Sequence, residues 1–500
     1  MTTAPLTKVL IANRGEIALR IIRACRDLGM RAVAVYSDAD REALHVRYAD
    51  EAYPIGPAAP RESYLAVEKL VAVATRAGCD AVHPGYGFLS ENADFADAVA
   101  RAGLVFVGPP ASVQRLLGEK TRARRLAREA GVPVAEGTID PLRGLDDARA
   151  AAAKIGYPVM LKAAGGGGGK GMRAVRSEGE LEAAWRMASG EAASAFGTPA
   201  LFLERLVAHA RHVEMQFIAD AHGHVVWLGE RDCSVQRRHQ KLIEETPGPS
   251  VDPALRARLG DAAVKIARAA GYRSAGTAEF LVAEDGSFSF LEVNTRLQVE
   301  HPVTELATGL DLVALQLRVA AGDPLPFTQA EVRPRGAAIE LRVTAEDARA
   351  GFVPASGVVG ALRLPAGPGV RVDHALFEGM RVPTEYDPLL AKIVVWGADR
   401  AEALSRARRA VRETIVAGLP TSIPFHAHAL ADPDFASGRY DTGYVAAHWP
   451  PPDAAELEES AIHAGALVAV LATRPRRATA SVDGRAASPW ARAGGEEALR

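Results

Sequence analysis

Two glutamates expected to face each other across a hairpin constrain this chain more than any other feature. Gly276-Thr-Ala-Glu279-Phe-Leu-Val-Ala283 and Phe288-Ser-Phe-Leu-Glu292-Val-Asn294 both read as strands, and Asp285-Gly286 between them is a strong two-residue hairpin signal. With that turn Glu284 pairs with Ser287, and counting outward sets Glu279 directly across from Glu292. Facing Cβ atoms stand ~5 Å apart, and like charges so placed destabilise a sheet. Glu292 and Asn294, two apart on a strand, point to the same face. A divalent cation bridging Glu279, Glu292 and Asn294 offsets the repulsion, and three hard oxygen ligands suit Mg²⁺ or Mn²⁺ rather than zinc. The bland alternative is a solvated hairpin edge carrying two harmless acids. The basic residues that continue the stretch to Arg296-Leu-Gln-Val-Glu300-His-Pro302 favour the site.

A chain of 500 residues is too long for one core and implies three or so units. A formal charge of -2 provides no field that would steer it to nucleic acid or to a membrane surface. Three cysteines, Cys25, Cys79 and Cys233, are odd in number and scattered, which fits a reducing compartment and forms no zinc spacing. The N-terminus leads into a strand without an apolar signal region, and no apolar run reaches membrane-span length. A cytoplasmic protein is expected.

The first unit opens with the strand Lys8 to Ala12, a helix from Glu16 to Leu28 ending at Gly29, and the strand Arg31 to Tyr36. This βαβ beginning predicts a parallel sheet. Its first turn, Asn13-Arg14-Gly15-Glu16, lacks the dinucleotide-binding glycines. The loop His83-Pro-Gly-Tyr-Gly87 follows a strand end, so it borders a ligand or is a turn whose glycines serve only the backbone. From Gly118 the chain turns cationic: Arg122, Arg124, Arg125 and Arg128 share a helix, most of them on a solvated face. Further on, the strand Tyr157 to Lys162, the glycine run Gly165 to Gly169 and the strand Arg173 to Arg176 predict a mobile hairpin. Its bare N–H groups suit phosphate oxygens, with Lys162 as a point charge. In Glu230-Arg-Asp-Cys-Ser-Val-Gln-Arg237-Arg238-His239-Gln-Lys241 an extended chain puts Arg237, His239 and Lys241 on one face and Arg238 on the other. Without interleaved aromatics this run reads as a site for a small anion rather than for nucleic acid. The helical pattern Arg400 to Ala417 looks like a covering element of the last unit.

With these segments assembled, the chain resembles biotin carboxylase, the ATP-grasp subunit or domain of biotin-dependent carboxylases. The resemblance rests on Gly165 to Met172, Glu230 to Lys241 and Glu292 to Pro302, and extends to Ile11 to Arg20, His83 to Asn92 and Tyr386-Asp-Pro-Leu-Leu-Ala-Lys392. It implies an α/β fold with α+β elements: an N-terminal parallel βαβ domain (1–118), an ATP-grasp domain (119–330) with a glycine-rich lid (about 133–206), and a C-terminal biotin carboxylase domain (331–449). The remainder, 450–500, is expected to be a poorly ordered tail with one possible helix at 454–473; a segment that docks a partner subunit is the alternative.

The resemblance further implies a ligase that makes carboxyphosphate from ATP and bicarbonate and then carboxylates biotin. Lys120, Lys162, Gly168, Gly169, His212 and His239 are implied to contact ATP, and Glu204, Arg205, Leu206 and Val207 to line the adenine pocket. Glu279, Glu292 and Asn294 match the metal ligands, for Mg²⁺ or Mn²⁺. Lys241, Arg296 and Val299 are implied to hold bicarbonate, Glu300 to be the general base, and Arg342 to stabilise the biotin enolate. Ala337 and Ser422 stand where the family commonly has His and Asn; neither is a transferred catalytic position. Biotin attachment in this family needs a lysine beside a methionine, and none of the seven methionines adjoins one, so a separate biotin carboxyl carrier protein and a carboxyltransferase are the implied partners, with a homodimer as assembly. The competing functions are another ATP-grasp ligase that passes an acyl phosphate to a different acceptor, and an ATP-binding subunit without turnover.

Overall fold

The apolar runs Lys8-Val-Leu-Ile and Arg31 to Ser37 form two adjacent strands of a parallel sheet in the computed structural model, which describes residues 5–165 and 171–450. Strands β1 (Lys8–Ile11), β2 (Arg31–Ser37), β3 (Glu51–Gly56), β4 (Ala81–His83) and β5 (Val105–Phe106) are ordered β3-β2-β1-β4-β5. The helix Gly15–Asp27 buries Ile17, Ile21, Ile22 and Cys25, at helical spacing, in the core beside β1. Because β1 has β2 on one side and β4 on the other, the loops after β1 and β4 meet at the switch point of the sheet. Asn13 locks them together, donating from Nδ2 to the carbonyls of Pro84 and Tyr86, both at 2.7 Å.

A three-stranded antiparallel sheet follows, built from β6 (Val159–Ala163), β7 (Arg173–Val175) and β8 (Leu201–Arg205) in the order β7-β6-β8. The strands flanking the glycine run pair with each other, as a hairpin requires; residues 166–170, with Gly168 and Gly169, lie outside the described residues. So do residues 451–500 and the helix expected there.

The largest sheet has eight strands. It takes in β9 (Arg211–Ala219), β10 (Val225–Arg237), β11 (Gln240–Thr246), β12 (Ser274–Val282), β13 (Phe288–Asn294) and β14 (Ala337–Thr344). Short strands β15 (Glu346–Asp347), β16 (Val353–Pro354), β17 (Gly357–Val358) and β18 (Leu362–Arg363) intervene before β19 (Val370–His374), β20 (Arg381–Val382) and β21 (Leu389–Gly397). The order is β13-β12-β9-β10-β11-β14-β21-β19, so strands on both sides of residue 331 share one sheet. Its apolar face near β9 and β12 presents Val213, Met215, Phe217, Ala278 and Phe280 to Leu259 and Ile266 of the helix Pro253–Ala269. That helix begins with proline at its first turn and with the Asp252 side chain accepting from the Leu255 N–H. Each such buried side chain contributes ~2 kcal/mol of transfer free energy. The opposite face of β9 and β12 is polar.

Three expectations change in detail. The basic run is not one extended strand: Arg237 pairs with Gln240 and the chain reverses at Arg238 and His239, whose φ of 48° and 67° are those of a tight hairpin turn. The last covering helix stops at Glu413 rather than Ala417, because the β-branched pair Ile415–Val416 joins Leu362–Arg363 as a strand pair. The hairpin between β12 and β13 has a three-residue loop, with Val282 opposite Phe288 and the Ala283 N–H donating to the Ser287 carbonyl at 2.9 Å. A bulge at Leu291, between the pairs Phe280–Phe290 and Glu279–Glu292, then restores the expected facing of Glu279 and Glu292. Among the described residues no helix is long and apolar enough to cross a membrane.

Candidate active site

Alternation along β9 puts His212, Glu214 and Gln216 on one face, and pairing carries that face across the sheet. Arg231 on β10 faces Glu214 on β9, Glu214 faces Glu279 on β12, and Glu279 faces Glu292 on β13. Three carboxylates therefore stand in a row with a guanidinium at one end. Cations of the protein meet the repulsion that the sequence assigned to a metal. Arg231 Nε lies 2.5 Å from Glu214, and Lys120 Nζ lies 2.9 Å from Glu292. Lys241 Nζ is within 2.6 Å of Glu214 and 3.0 Å of Glu279. His212 Nε2 sits 3.0 Å from Glu279 Oε2.

The segment leaving β13 closes over this row. Glu300 is the residue just before the helix His301–Thr308, is 1% exposed, and divides its oxygens between two cations. Lys241 Nζ reaches Oε1 at 2.6 Å and an Arg342 terminal nitrogen reaches Oε2 at 2.8 Å. Burial pushes the Glu300 carboxyl up, but Lys241, Arg342 and Arg231 outweigh it and hold the group well below the usual carboxylate range. The same balance acts on Glu279, where burial is overcome by Lys241 and His212. The Asn294 amide donates to Glu279 at 2.8 Å and accepts from Arg296 at 3.0 Å; Arg296 Nε also reaches Glu91 at 3.0 Å.

On the far wall, Lys162 of β6 pairs with Glu204 of β8, and Arg124 holds the other Glu204 oxygen at 2.5 Å. Burial pulls the Lys162 ammonium down, against Glu204. The Arg205 guanidinium turns aside to Glu136 at 2.7 Å. Burial also pulls the His239 ring down, and nearby Lys162 adds to it.

Most of these groups border one cavity of about 890 Å³, with Glu214, Arg231, Arg124, Glu91 and Glu136 outside its lining. Lys120, Lys162, Glu204, Arg205, Leu206, Val207, His212, His239, Lys241, Glu279, Glu292, Asn294, Arg296, Val299, Glu300 and Arg342 all line it, so the structure brings together every site residue expected from sequence that lies among the described residues. The loops at the parallel-sheet switch point, through Asn13, Arg14, Tyr86 and Phe88, form another part of its rim. Of the two readings of His83 to Gly87, the ligand border is the one this placement favours.

Several participants escaped the sequence reading. Glu214 was legible in principle from the alternation His212, Glu214, Gln216. Arg231, fully buried, donates to Glu214 and Gln216 and to Thr304 at 2.9 Å, yet sat unremarked in the basic run. Arg124 belongs to a helix read as mostly solvated but is 3% exposed. Lys392 is fully buried and donates to the Val299 carbonyl at 2.9 Å, tying the bicarbonate segment expected from sequence to β21. Ser422, one of the two departures, accepts from the Thr344 N–H and donates to the Arg342 carbonyl, both at 2.9 Å, so it braces the strand that carries Arg342.

Comparison with known proteins agrees with this geometry. Residues 5–114 match the family model of the biotin carboxylase N-terminal domain, 119–328 that of the carbamoyl-phosphate synthase L chain ATP-binding domain, and 340–447 that of the biotin carboxylase C-terminal domain. Biotin carboxylase 1 of Bacillus subtilis is 48% identical over 441 residues, covering 88% of this chain and 98% of that protein. The mitochondrial methylcrotonoyl-CoA carboxylase subunit alpha of Arabidopsis thaliana is 46% identical over 97% of this chain and 68% of its own length. The crystal structure of the biotin carboxylase domain dimer of Hydrogenobacter thermophilus 2-oxoglutarate carboxylase, in complex with MgADP, ADP and bicarbonate, superposes with a TM-score of 0.87 at 44% identity, over 89% of this chain and 98% of that one. Matched along nearly all of its described length in sequence, fold and domain models, this chain belongs to the biotin carboxylase family of ATP-grasp ligases.

Proposed function

We propose that this chain is the biotin carboxylase subunit of a biotin-dependent carboxylase and uses ATP and bicarbonate to carboxylate biotin presented by a separate carrier protein. The observation that carries the reading is the position of Glu300, between Lys241 at 2.6 Å and Arg342 at 2.8 Å, on the cavity that Lys120, Lys162, Glu279 and Glu292 also line.

In this reading the phosphates of ATP lie among Lys120, Lys162, His212 and His239, with Glu204 to Val207 around the adenine. Bicarbonate lies between Lys241, Arg296 and Val299. Arginine suits that role because its planar fork presents two donors to a carboxylate-like anion. Glu300 takes the proton of bicarbonate as one of its oxygens attacks the terminal phosphorus, giving carboxyphosphate and ADP. A carboxylate held so acidic is a weak base in water, so its competence comes from place. The cations that acidify Glu300 also acidify the bicarbonate beside it, which keeps the transfer balanced. Arg342, on the other side of Glu300, faces the position where biotin enolate charge develops.

Glu279, Glu292 and Asn294 are the residues that would hold Mg²⁺ or Mn²⁺. They offer oxygen donors on the cavity wall beside Lys120, and the bound MgADP of the Hydrogenobacter relative supports that assignment. The metal, when bound, neutralises phosphate charge.

For the final acceptor the first reading is an acyl-CoA, of the acetyl, propionyl or methylcrotonyl type, supported by the methylcrotonoyl-CoA carboxylase subunit of Arabidopsis; the Hydrogenobacter relative favours a 2-oxo acid as the second reading. A homodimer that works with a biotin carrier and a carboxyltransferase subunit completes the assembly, in keeping with the dimer of the same relative.

The test is ADP release dependent on bicarbonate and free biotin, in wild type, Glu300→Gln and Arg296→Ala. Wild-type turnover lost in both variants is expected. Biotin-stimulated release surviving in both refutes the mechanism. Carboxylation of acyl-CoAs against 2-oxo acids by the reconstituted holoenzyme decides the acceptor.

A further inference from the structure

Beneath Arg342, charge is laid out on the sheet in two neighbouring rows. One row runs Arg342 on β14, Lys392 on β21 and Asp373 on β19. The next runs Glu244 on β11, Glu340 on β14, Val394 on β21 and Arg371 on β19. Glu244 and Glu340 are therefore directly opposed carboxyls, and both are 0% exposed. Neither lines the cavity. They differ in their surroundings. One terminal nitrogen of Arg342 lies 2.5 Å from Glu244 and 2.8 Å from Glu300, whereas Glu340 makes no ion pair among the described residues; beyond that charge contact, no oxygen of either Glu244 or Glu340 has a hydrogen-bond partner there.

We propose that Glu244 is a positioning residue for Arg342, holding its guanidinium against Glu300, and that Glu340 opposite it stays a neutral acid so that the anchor carries a single negative charge. The inference rests on the proposed function, because it concerns how Arg342 is presented to the reaction.

Two carboxylates ~5 Å apart in a core both ionise only where a cation contacts each, as Arg231, Lys241 and His212 do for Glu214 and Glu279; Glu340 has no such contact among the described residues. Which one keeps the proton follows from the groups that face them. Burial pushes both carboxyls up, and Glu300 at the head of the helix His301–Thr308 reinforces it. Against this, Arg342 in contact and Lys241 on the same strand draw Glu244 back to about 7. Glu340 faces Lys392 and Arg342 without contact to either, and its carboxyl stays well above the usual range. Glu340 therefore holds its proton more firmly than Glu244, and the 2.5 Å contact with Arg342 favours the ion pair on Glu244. With that pair in place the Arg342 guanidinium is fixed from below by Glu244 and from the side by Glu300. Without it the arginine has one carboxylate left, the general base itself, and closes more tightly on the group that must receive a proton.

The experiment compares Glu244→Gln, Glu244→Asp and Glu340→Gln with wild type and Arg342→Ala, reading kcat for ADP release with bicarbonate and free biotin, together with the KM for ATP. Glu244→Gln is expected to lower kcat at least tenfold while the ATP KM changes less than threefold, a split that a loss of general structure would not produce. Glu244→Asp is expected to recover part of kcat. Glu340→Gln, an amide in place of a neutral acid, is expected to stay within threefold of wild type. Wild-type kcat in Glu244→Gln overturns the inference, as does a tenfold loss in folded Glu340→Gln. If Glu244→Gln does not fold, the Glu340→Gln and Glu244→Asp values still decide. Failure of the proposed function itself looks different, since wild type would then release no biotin-dependent ADP or Arg342→Ala would keep full activity.

Discussion

Lys241 places its ammonium 2.6 Å from Glu300, and that contact sets the charge of the proposed base. Burial alone would raise the Glu300 carboxyl; Lys241 is the largest influence that lowers it. A carboxyl depressed in the folded state is ionised above the depressed value and loses its contribution to stability only as pH falls toward it. Lys241→Met weakens the depression and leaves Arg342 and Arg231 to maintain the rest. Its bicarbonate-dependent turnover is expected below a hundredth of wild type at pH 7, with the acid limb of the residual pH–rate profile displaced to higher pH. An undisplaced limb would show that Lys241 does not control this base.

The metal assignment is tested at Glu292, which pairs with Lys120 at 2.9 Å and lies at the edge strand of the sheet. Glu292→Gln keeps the shape and removes the charge. The Mg²⁺ concentration for half-maximal ADP release is expected to rise about tenfold. A titration that superimposes on wild type would remove Glu292 from the metal site.

Arg124 and Glu204 form an ion pair in which both side chains are 3% exposed. Deleting one partner of a buried pair leaves an uncompensated charge, at a cost of ~3–5 kcal/mol. Here Lys162 also holds Glu204, so the lower end applies. Arg124→Met is expected to lose ~3 kcal/mol in denaturant unfolding and to weaken ATP binding, both measurable on the purified chain. Wild-type stability would mean that Lys162 suffices as a partner for Glu204.

Glu16, buried beside Lys392 at 3.1 Å, is pushed up to about 7 by burial, which Lys392 only partly offsets. A carboxyl raised in the folded state contributes fully below its unfolded value near 4.5, and that contribution is lost as pH rises through 7. Relative to wild type, Glu16→Gln is therefore expected to gain stability between pH 5 and pH 8, by at most about 3 kcal/mol. Melting temperatures of both proteins at the two pH values check it, and a difference independent of pH contradicts it.

The facing of Glu279 and Glu292 was legible in the sequence by two departures that cancel. The loop holds three residues, not two, and Leu291 bulges by one, so counting from the wrong turn reaches the right pair. Side-chain period along a strand carries no information about such insertions, because a bulge is chosen by packing and by twist. The Arg238–His239 reversal was hidden for a different reason: turns with positive φ are normally announced by Asn or Gly, and here neither is present. The burial of Arg124 and Arg231 is not legible in their own segments because burial of a guanidinium depends on partners from distant ones, Glu204 and Glu214. The polar alternation on β9, by contrast, was written in the chain and needed only to be counted.

The eight-stranded sheet carries one more consequence, for curvature. Lys241 on β11 touches Glu279 on β12, three strand steps away and so ~14 Å across a flat sheet, which two side chains span only when the sheet bends toward them. On the opposite, apolar face two glycines allow aromatic rings to approach closely. A Cβ on Gly276 would come within 2.6 Å of Phe217 and Tyr272, and one on Gly260 within 2.6 Å of Trp227. The face of the sheet turned away from the cavity thus packs closely through two glycines that line none of it, and a methyl group added at either forces Phe217, Tyr272 or Trp227 to shift.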